Sequence, residues 1–357
     1  MQKNLILGYG QTGKSFEIFL NQKKVIFDIF DENCKPGHKS RKSNAAFISK
    51  NEIINYEKFF VSPGFIIDSL PLDDKLHSSE FVSDIDLFFD EDKSYKIGIT
   101  GTNGKSSFTN YLNQALNSVS SSIALGNFGD PLPENINHGK KYSVIELSSF
   151  QLDKMLVNKL DMAILLDITI DHLDYHETED NYRLSKLKIL PSQKDTFIYH
   201  QNQSLREFAL STSKILEPSI IENNILFEEL PHRLEEISEG IFNDSKSTNI
   251  SSLKYALRTL KFDGDLLMCG DPSKEMWSDL EIPNVNQIII FGKHAEEISA
   301  LIKSKNKVCV ESMRQAIGLL SFKNKILFSP GNPSGKDYAN FEERGKEFCE
   351  IIRRVKM

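Results

Sequence analysis

The sequence predicts an α/β protein of three domains, each built on a mainly parallel sheet. Apolar strand segments alternate with amphipathic helix segments, in three units that each begin with a strand. Two of the strand-to-helix turns are rich in glycine, at residues 8–13 and 101–106. The chain has 357 residues, more than one hydrophobic core usually supports, so several domains of roughly 100–150 residues are expected.

Composition and charge favour a soluble globular protein and disfavour membrane and nucleic-acid partners. The chain is 39% hydrophobic and 26% charged, which is typical of soluble globular proteins. No run approaches the ~20 apolar residues of a membrane span, and the sequence enters a strand at its first residues, so we expect no signal peptide. The net charge of −7 disfavours a nucleic-acid partner, and the four separated cysteines suit reduced thiols. We therefore expect a cytoplasmic monomer that acts on small molecules, without a nucleic-acid or membrane partner.

The first unit opens with the strand NLIL and a turn in which Gly8, Gly10 and Gly13 match G-x-G-x-x-G. A second strand ends at Asp31, an acid about twenty residues on that could reach a ribose hydroxyl. A third strand ends in the Ser-Pro-Gly turn at 62–64. The pattern predicts a Rossmann-like domain that binds a nucleotide phosphate at a helix N-terminus, with NAD as one candidate ligand.

The second unit follows an acidic stretch, residues 86–94, which we expect to separate the two units. The general P-loop pattern requires glycine at position 99, where Ile99 stands, but the chain can turn at Gly101 instead. A cradle for phosphate needs free backbone N–H groups, a helix N-terminus, a cation such as Lys105 and a hydroxyl for Mg²⁺ such as Ser106. The second turn therefore predicts a P-loop ATPase-like domain.

Two further polar groups follow neighbouring strands of this unit. Glu146 ends the strand SVIE, and Asp171 and His172 follow the strand AILLDIT. The carboxyl ends of parallel strands meet in one crevice, so these groups are expected beside the P-loop, where they could complete Mg²⁺ coordination. Alone, Glu146 is more often a solvated acid at a strand end.

Strands and helices alternate again from about residue 237. We predict helices near 249–260, 294–303, 312–320 and 338–355, which form the third unit with the strands between them. Residues 191–230 are polar and carry little pattern. The predicted domains therefore span residues 1–92, 93–230 and 231–357.

The order of short motifs along the chain resembles the Mur ligases, and within them the branch that adds D-glutamate. The motifs extend over nearly the whole chain: GITGTNGKSS (98–107), GNFG (126–129), IELSSFQLD (145–153), DITIDHLDYH (167–176), YRLSKLKI (182–189), LPHRLE (230–235), FNDSKSTN (242–249) and FSPGNPSGKDYANFEERGKEF (328–348). The resemblance implies an ADP-forming amide ligase of peptidoglycan synthesis. Its small-molecule substrates would be ATP, UDP-N-acetylmuramoyl-L-alanine and D-glutamate, joined through an acyl phosphate.

The resemblance also implies which residues bind ATP and metal. ATP is assigned to the glycine-rich turn and two later residues: Gly101, Thr102, Asn103, Gly104, Lys105, Ser106, Ser107, Arg233 and Asp244. Two Mg²⁺ ions are assigned to four residues, the last of them as a carbamylated lysine: Ser106, Glu146, His172 and Lys186. The catalytic residues implied are Lys105, Glu146, His172 and Lys186.

The same resemblance implies which residues bind the UDP substrate and D-glutamate. The UDP substrate, which replaces the NAD interpretation of the first turn, is assigned to Gln11, Thr12, Asp31, Ser62, Gly64, Asn127 and His172. D-glutamate is assigned to Lys246, Thr248, Lys274, Ser334 and Phe341.

Two departures from the family pattern leave alternatives open. Only 44 residues (187 to 230) separate Lys186 from Pro231, without the His-Asn-x-x-Asn helix that frames adenine in the family. The segments CGDPSK and SPGNPS also differ from the usual D-glutamate pocket. Another amino-acid ligase of the folylpolyglutamate type and an inactive UDP-sugar-binding descendant therefore remain candidates. An NAD oxidoreductase would leave the second glycine-rich turn unexplained.

Overall fold

A computed structural model describes residues 3–67, 70, 80–169, 171–199, 203–274, 280–282 and 284–356. The structure divides into two compact units, numbered separately from the three units of the sequence: the first is Met1–Ile168 with Thr178–Phe227, and the second is Thr169–Glu177 with Glu228–Met357. The described residues form three mainly parallel sheets, two in the first unit and one in the second. The α/β class predicted from sequence is therefore confirmed.

The first sheet is parallel throughout and has the strand order β2-β1-β3-β4 among the described residues. Its strands and the helices around it are β1 (Asn4–Leu7), α1 (Gln11–Gln22), β2 (Phe27–Phe30), β3 (Lys58–Val61), β4 (Glu80–Ser83) and α2 (Asp84–Glu91). Phe16 and Leu20 of α1 are buried against the sheet. Gly13 permits this packing, because a Cβ there would lie 2.0 Å from the carbonyl oxygen of Gly8.

The acidic stretch at 86–94, predicted to separate the first two units of the sequence, lies between the first sheet, which ends at Ser83, and the second sheet, which begins at Tyr95. Most of it is α2, whose first turn is capped by Ser83, because the hydroxyl accepts a hydrogen bond from the Asp86 N–H at 3.1 Å. Phe88 and Phe89 are buried in a cluster with residues of the second sheet. The helix periodicity of its apolar residues outweighs the acidic composition.

The second sheet is also parallel and has the order β6-β7-β5-β8-β9 among the described residues. Its elements, together with α5 of the second unit, are β5 (Tyr95–Thr100), α3 (Lys105–Asn117), β6 (Ser122–Gly126), β7 (Tyr142–Glu146), α4 (Ser149–Lys154), β8 (Met162–Leu165), α5 (Leu173–His176), α6 (Glu179–Leu187), β9 (Asp195–Ile198) and α7 (Leu205–Leu216). In this order β5 is central, so the loop after it begins at the middle of the sheet.

Residues 191–230 carry more structure than their sequence pattern indicates, because they contain β9 and α7. A capping box begins α7: the Ser204 hydroxyl accepts from the Glu207 N–H, and the Glu207 carboxylate accepts from the Ser204 N–H. Phe208 packs on α3, with its ring centroid 5.0 Å from that of Phe108. The capping box and the spacing of the apolar residues after it could have predicted this helix.

The third sheet has the order β10-β11-β15-β12-β13-β14 among the described residues, with β10 antiparallel to β11 and the other pairs parallel. Its elements are β10 (Glu235–Ser238), β11 (Ile241–Asn243), α8 (Ile250–Thr259), β12 (Asp265–Met268), β13 (Gln287–Phe291), α9 (Ala295–Leu301), β14 (Lys307–Val310), α10 (Met313–Gly318), β15 (Ile326–Phe328) and α11 (Phe341–Lys356). The four helices predicted for this region are confirmed. In the described parts of the chain, no helix is long and apolar enough to cross a membrane.

Candidate active site

A cavity of about 580 Å³ opens beside the first glycine-rich turn, within the first unit. Six of the seven residues predicted for the UDP substrate line it: Gln11, Thr12, Asp31, Ser62, Gly64 and Asn127. The seventh, His172, belongs to the second unit. The volume is within the usual range for ligand pockets, roughly 300–1,000 Å³.

The first turn is held in shape by its neighbours. The Tyr9 N–H donates to Asp31 Oδ2 at 2.7 Å, and the Asn33 N–H donates to Asp31 Oδ1 at 2.9 Å. On the other side, the Ser62 hydroxyl donates to the Gly8 carbonyl at 2.8 Å. Asp31 thus fixes the backbone of the turn while it lines the cavity, and its carboxylate can still accept a hydrogen bond from a ligand hydroxyl.

The far end of the cavity contains residues that sequence reasoning missed. Asp84, Ser148, Phe150 and Gln151 line it. The Gln151 side-chain amide donates to Asp84 Oδ2 at 2.8 Å, and its oxygen accepts from the Ser148 N–H at 3.1 Å. Burial raises the pKa of Asp84 to about 6. The motif ELSSFQL marked three of these residues, but nothing in the sequence connected Asp84 to it.

The second glycine-rich turn begins directly after β5. Gly104 has a φ of 81°, a left-handed conformation that glycine adopts without strain, and it caps α3. The Lys105 ammonium folds back over the turn and donates to the carbonyl oxygens of Gly101 at 2.9 Å and Thr102 at 2.7 Å. Ser106 is buried and Ser107 half-buried in the first turn of α3. The turn therefore combines a helix N-terminus with a lysine, as a phosphate site requires.

Lys186 of α6 reaches the same turn from another element. Its side chain is only 2% exposed, and its ammonium donates to the Gly101 carbonyl oxygen at 2.7 Å. The ammonium also lies 4.9 Å from the centroid of Tyr182, whose hydroxyl shares a hydrogen bond of 2.8 Å with the Thr102 hydroxyl. The structure thus brings Lys105 and Lys186 to one carbonyl oxygen.

Glu146 ends β7, opposite Ile99 of β5 and so close to the start of the second turn. It is 1% exposed, and its Oε1 accepts a hydrogen bond of 2.6 Å from the Asn127 side chain. Its Oε2 is buried and has no hydrogen-bond partner among the described residues. Since Asn127 also lines the cavity, it connects the cavity to this carboxylate.

These residues fit a magnesium ion. Mg²⁺ binds oxygen ligands, and a buried carboxylate oxygen without a partner is costly unless a cation or a donor meets it. Glu146 Oε2 and the Ser106 hydroxyl oxygen are both atoms of the type that Mg²⁺ prefers. An unmodified Lys186 carries an ammonium that only donates hydrogen bonds, so this lysine can bind a metal only after a modification that adds oxygen ligands.

His172 lies in the second unit, at the start of α5, with a left-handed φ of 54°. Its backbone N–H donates to Asp171 Oδ1 at 2.9 Å. Asp171 Oδ2 in turn accepts from the Asn249 side chain at 2.7 Å, and Asn249 caps α8. The Asp171–Asn249 hydrogen bond therefore joins the segment that carries His172 to the third sheet.

Asp244 follows β11 in the second unit and is almost fully buried. It accepts hydrogen bonds from the Ser329 hydroxyl at 2.8 Å and the Leu234 N–H at 3.2 Å. Burial raises its pKa to about 7, although these two donors and the charges of Arg233 and Arg344 act in the opposite direction. Arg233 itself is half-buried.

The residues predicted for D-glutamate also lie in the second unit. The Lys246 ammonium is 4.0 Å from the ring centroid of Phe341, a cation–π contact that joins two of them. Thr248 and Ser334 are half-buried in the loops after β11 and β15. The side chain of Lys274 lies outside the described part of the structure.

Three comparisons relate this chain to known proteins. Residues 99–238 match the family model described as the Mur ligase middle domain. The UDP-N-acetylmuramoylalanine–D-glutamate ligase of Buchnera aphidicola subsp. Schizaphis graminum is 30% identical, over 99% of this chain and 98% of its own. The ligase of the same name from Haemophilus ducreyi is 27% identical, over 98% of this chain and 97% of its own.

Solved structures share the fold at low identity. The MurF ligase of Thermotoga maritima in complex with ADP has a TM-score of 0.57 at 12% identity, over 99% of this chain and 96% of its own. A pseudomurein peptide ligase type C from Methanothermus fervidus has a TM-score of 0.55 at 14% identity, over 99% of this chain and all of its own.

Proposed function

The chain belongs to the Mur ligase family, and on this premise we propose that it is an ATP-dependent ligase that adds D-glutamate to UDP-N-acetylmuramoyl-L-alanine. The observation that carries the proposal is the position of Asn127. It lines the cavity predicted for the UDP substrate and donates to Glu146, near the turn that suits ATP phosphates. A substrate in this cavity can therefore extend its reacting carboxylate towards the second turn.

The chemistry explains why these two sites are needed together. A carboxylate is a poor electrophile, so ATP first transfers its γ-phosphoryl group to the alanyl carboxylate, which gives an acyl phosphate and ADP. The amine of D-glutamate then attacks the acyl carbon, loses a proton and expels inorganic phosphate. Catalysis of such a transfer depends mainly on positioning and on screening of negative charge.

The residues around the second turn supply that screening. Lys105 can exchange its two neutral carbonyl partners for phosphate oxygens, and the first N–H groups of α3 favour an anion. Ser106 and Glu146 would hold Mg²⁺, which would supply positive charge against the anionic phosphates and the substrate carboxylate. Asn127 orients Glu146 through the bond to Oε1 and leaves Oε2 for the metal.

Lys186 would act as a carbamate. Its ammonium would first lose a proton to solvent, and the neutral amine would then attack the carbon of CO₂ and lose a second proton. The carbamate formed is an anion with two oxygen ligands, and its one N–H can still donate to the Gly101 carbonyl. What supports this is the burial of the amine beside the turn, where an ammonium would oppose Mg²⁺. His172 would hold metal and substrate, as the family resemblance implies.

The second unit would supply the remaining contacts that the resemblance implies. Arg233 and Asp244 would bind ATP, and five residues would bind D-glutamate: Lys246, Thr248, Lys274, Ser334 and Phe341. We retain residues 1–92, 93–230 and 231–357 as the domains for the UDP substrate, ATP and the incoming amino acid. The enzyme would act in the cytoplasm as a monomer.

A phosphate-release assay tests the proposal. We expect release only when ATP, Mg²⁺, UDP-N-acetylmuramoyl-L-alanine and D-glutamate are all present. Lys105→Met should lower kcat about 100-fold or more, because a positioned cation on the transferred phosphate is lost. The matched control Lys214→Met, which changes an exposed lysine of α7, should keep wild-type activity.

A panel of amino acids and acceptors separates the alternatives. Release with L-glutamate and a folate acceptor would indicate the folylpolyglutamate type. Absence of release, with UDP-N-acetylmuramoyl-L-alanine still bound in calorimetry, would indicate an inactive descendant. Either result would contradict the proposed function.

A further inference from the structure

A fully buried arginine, Arg344 of α11, contacts loops that follow strands of the third sheet, and the proposed mechanism does not use it. Its side chain is 0% exposed. No carboxylate lies within ion-pair distance of it in the part of the chain that the structure describes. The charges of Arg344 and Asp244 act on each other without an ion-pair contact. A buried charge that has no ion-pair partner is costly, so it is retained only where hydrogen bonds satisfy it.

The hydrogen bonds of Arg344 go to two separate loops. Nε donates to the Ser245 hydroxyl at 3.1 Å, and Nη2 donates to the Ser245 carbonyl oxygen at 2.7 Å. Nη1 donates to the Asn332 carbonyl oxygen at 3.1 Å and lies 3.9 Å from Cys269 Sγ. Only the planar, five-donor guanidinium can satisfy all these acceptors at once.

The surrounding backbone is built to admit this group. Gly270 has a φ of 104°, and a Cβ there would lie 2.2 Å from the Pro333 carbonyl oxygen and 3.1 Å from Arg344 Nη1. Burial raises the pKa of the Cys269 thiol to about 11, so this neighbour is a neutral acceptor and not a thiolate counterion. The Cys269 thiol therefore supplies no negative charge to Arg344.

The two loop residues whose oxygens accept from Arg344, Ser245 and Asn332, each lie within two residues of a residue proposed for D-glutamate. Ser245 precedes Lys246 in the chain, and the Ser245 hydroxyl also donates to the Phe341 carbonyl oxygen at 2.9 Å. Asn332 is two residues before Ser334. Lys246 and Phe341 form the cation–π pair with its 4.0 Å separation. Ser245 contacts both partners, through the chain and through its hydroxyl, and it accepts two hydrogen bonds from Arg344.

We propose that Arg344 is the positioning residue of the amino-acid site: its buried guanidinium fixes the segments 244–249 and 329–334 so that Lys246, Ser334 and Phe341 face the incoming D-glutamate together. Its positive charge adds to the potential that attracts the two carboxylates of that substrate. The inference rests on the proposed function, since it presumes that these residues bind D-glutamate.

The test compares Arg344→Lys with Arg353→Lys, a change of an exposed arginine on the same helix. A lysine keeps the charge but cannot bridge both loops. We expect the KM for D-glutamate to rise about 10- to 100-fold in Arg344→Lys, because small displacements of positioning groups have effects of this size. The KM for UDP-N-acetylmuramoyl-L-alanine should stay within about twofold, since its proposed cavity lies in the first unit. The Arg353→Lys control should match wild type.

Amide hydrogen exchange provides a readout that does not depend on activity. In Arg344→Lys, segments 244–249 and 329–334 should lose protection while the sheet strands keep theirs. An unchanged KM for D-glutamate, an equal change in the KM values of all substrates, or unchanged exchange in both segments would each overturn the proposal. If wild type is inactive with D-glutamate, the proposed function fails, and the exchange result alone decides whether Arg344 fixes the loops.

A milder variant covers the case in which Arg344→Lys does not fold. Ser245→Ala removes the hydroxyl that Arg344 Nε and the Phe341 carbonyl share, and leaves the backbone contacts intact. We expect a rise of about 3- to 10-fold in the KM for D-glutamate, the size of one lost hydrogen bond. A wild-type KM in a folded Ser245→Ala protein would overturn the proposal.

Discussion

The two glycine-rich turns of the first unit have the same plan and opposite electrostatics. Each follows a central strand and leads into a helix, and each needs glycine where the backbone approaches closely or turns left-handed. At the first turn the carboxylate of Asp31 accepts from backbone N–H groups. At the second turn the ammonium groups of Lys105 and Lys186 donate to the Gly101 carbonyl.

This difference indicates how one backbone plan can serve two ligands. A turn that faces a carboxylate favours a ligand rich in hydroxyl donors, and a turn that faces lysines favours the charge of terminal phosphates. The glycine spacing alone did not distinguish them. The residues that distinguish them come from other strands and helices, namely Asp31 after β2 and Lys186 on α6.

The largest expected effect concerns the lysine that joins the second turn from α6. Lys186→Ala should lower kcat about 1,000-fold, because it removes a proposed metal ligand from the site of transfer. Short carboxylates such as acetate or formate should restore part of the activity by replacing the carbamate. The control Lys188→Ala changes an exposed lysine just after α6 and should be active. Normal turnover in Lys186→Ala would exclude this lysine from the mechanism.

The second-largest effect is expected at Glu146, the carboxylate that Asn127 connects to the cavity. Glu146→Gln should lower kcat about 300-fold, because the amide keeps the acceptor for Asn127 but loses the anionic oxygen for Mg²⁺. The MgCl₂ concentration for half-maximal phosphate release should rise at least about tenfold. Asp153→Asn, an exposed acid of α4, is the control and should leave the Mg²⁺ titration unchanged. Wild-type Mg²⁺ dependence in Glu146→Gln would remove it from the metal site.

Asp84, which lines the cavity beside the first turn, should make the free energy of unfolding depend on pH. The pKa of Asp84 is about 6 in the folded protein, above its usual value of 3.8, so the folded state binds this proton more tightly. The protonated Asp84 carboxyl therefore adds to the free energy of unfolding below pH 4, and this contribution is lost as pH rises through 6. Asp84→Asn should therefore be up to about 3 kcal/mol more stable than wild type above pH 6.

Urea unfolding of both proteins between pH 4 and pH 8 measures this difference. Asp90→Asn changes an exposed acid of the same helix and should keep the wild-type dependence. A constant difference between Asp84→Asn and wild type across this range would mean that Asp84 does not titrate there.

The smallest effect is expected at the first turn itself. Asp31→Asn replaces one acceptor of the Tyr9 and Asn33 N–H groups by a donor and should raise the KM for UDP-N-acetylmuramoyl-L-alanine about tenfold. The KM for ATP should not change. Glu32→Gln, which removes a neighbouring charge, tests whether charge alone is responsible. An equal rise in both variants would reject a specific role for Asp31.

Much of the fold could be predicted because strand and helix periodicities are local. The four helices beside the third sheet match their predicted positions, and both glycine-rich turns begin a helix as expected. The helix α7 was missed although its capping box and the spacing of its apolar residues are local signals that could have predicted it. The acidic stretch between the first two sheets was not predicted as a helix, although α2 forms most of it.

The sequence by itself determined the α/β class, the two turns and the identity of the groups that carry chemistry, because glycine spacing and apolar periodicity act within a few residues. Only the tertiary structure decided which of those groups meet. The convergence of Lys186 on Gly101, the pairing of Asn127 with Glu146 and the burial of Arg344 between two loops join residues far apart in the chain. Such contacts depend on the packing of whole elements, which no local pattern of residues encodes.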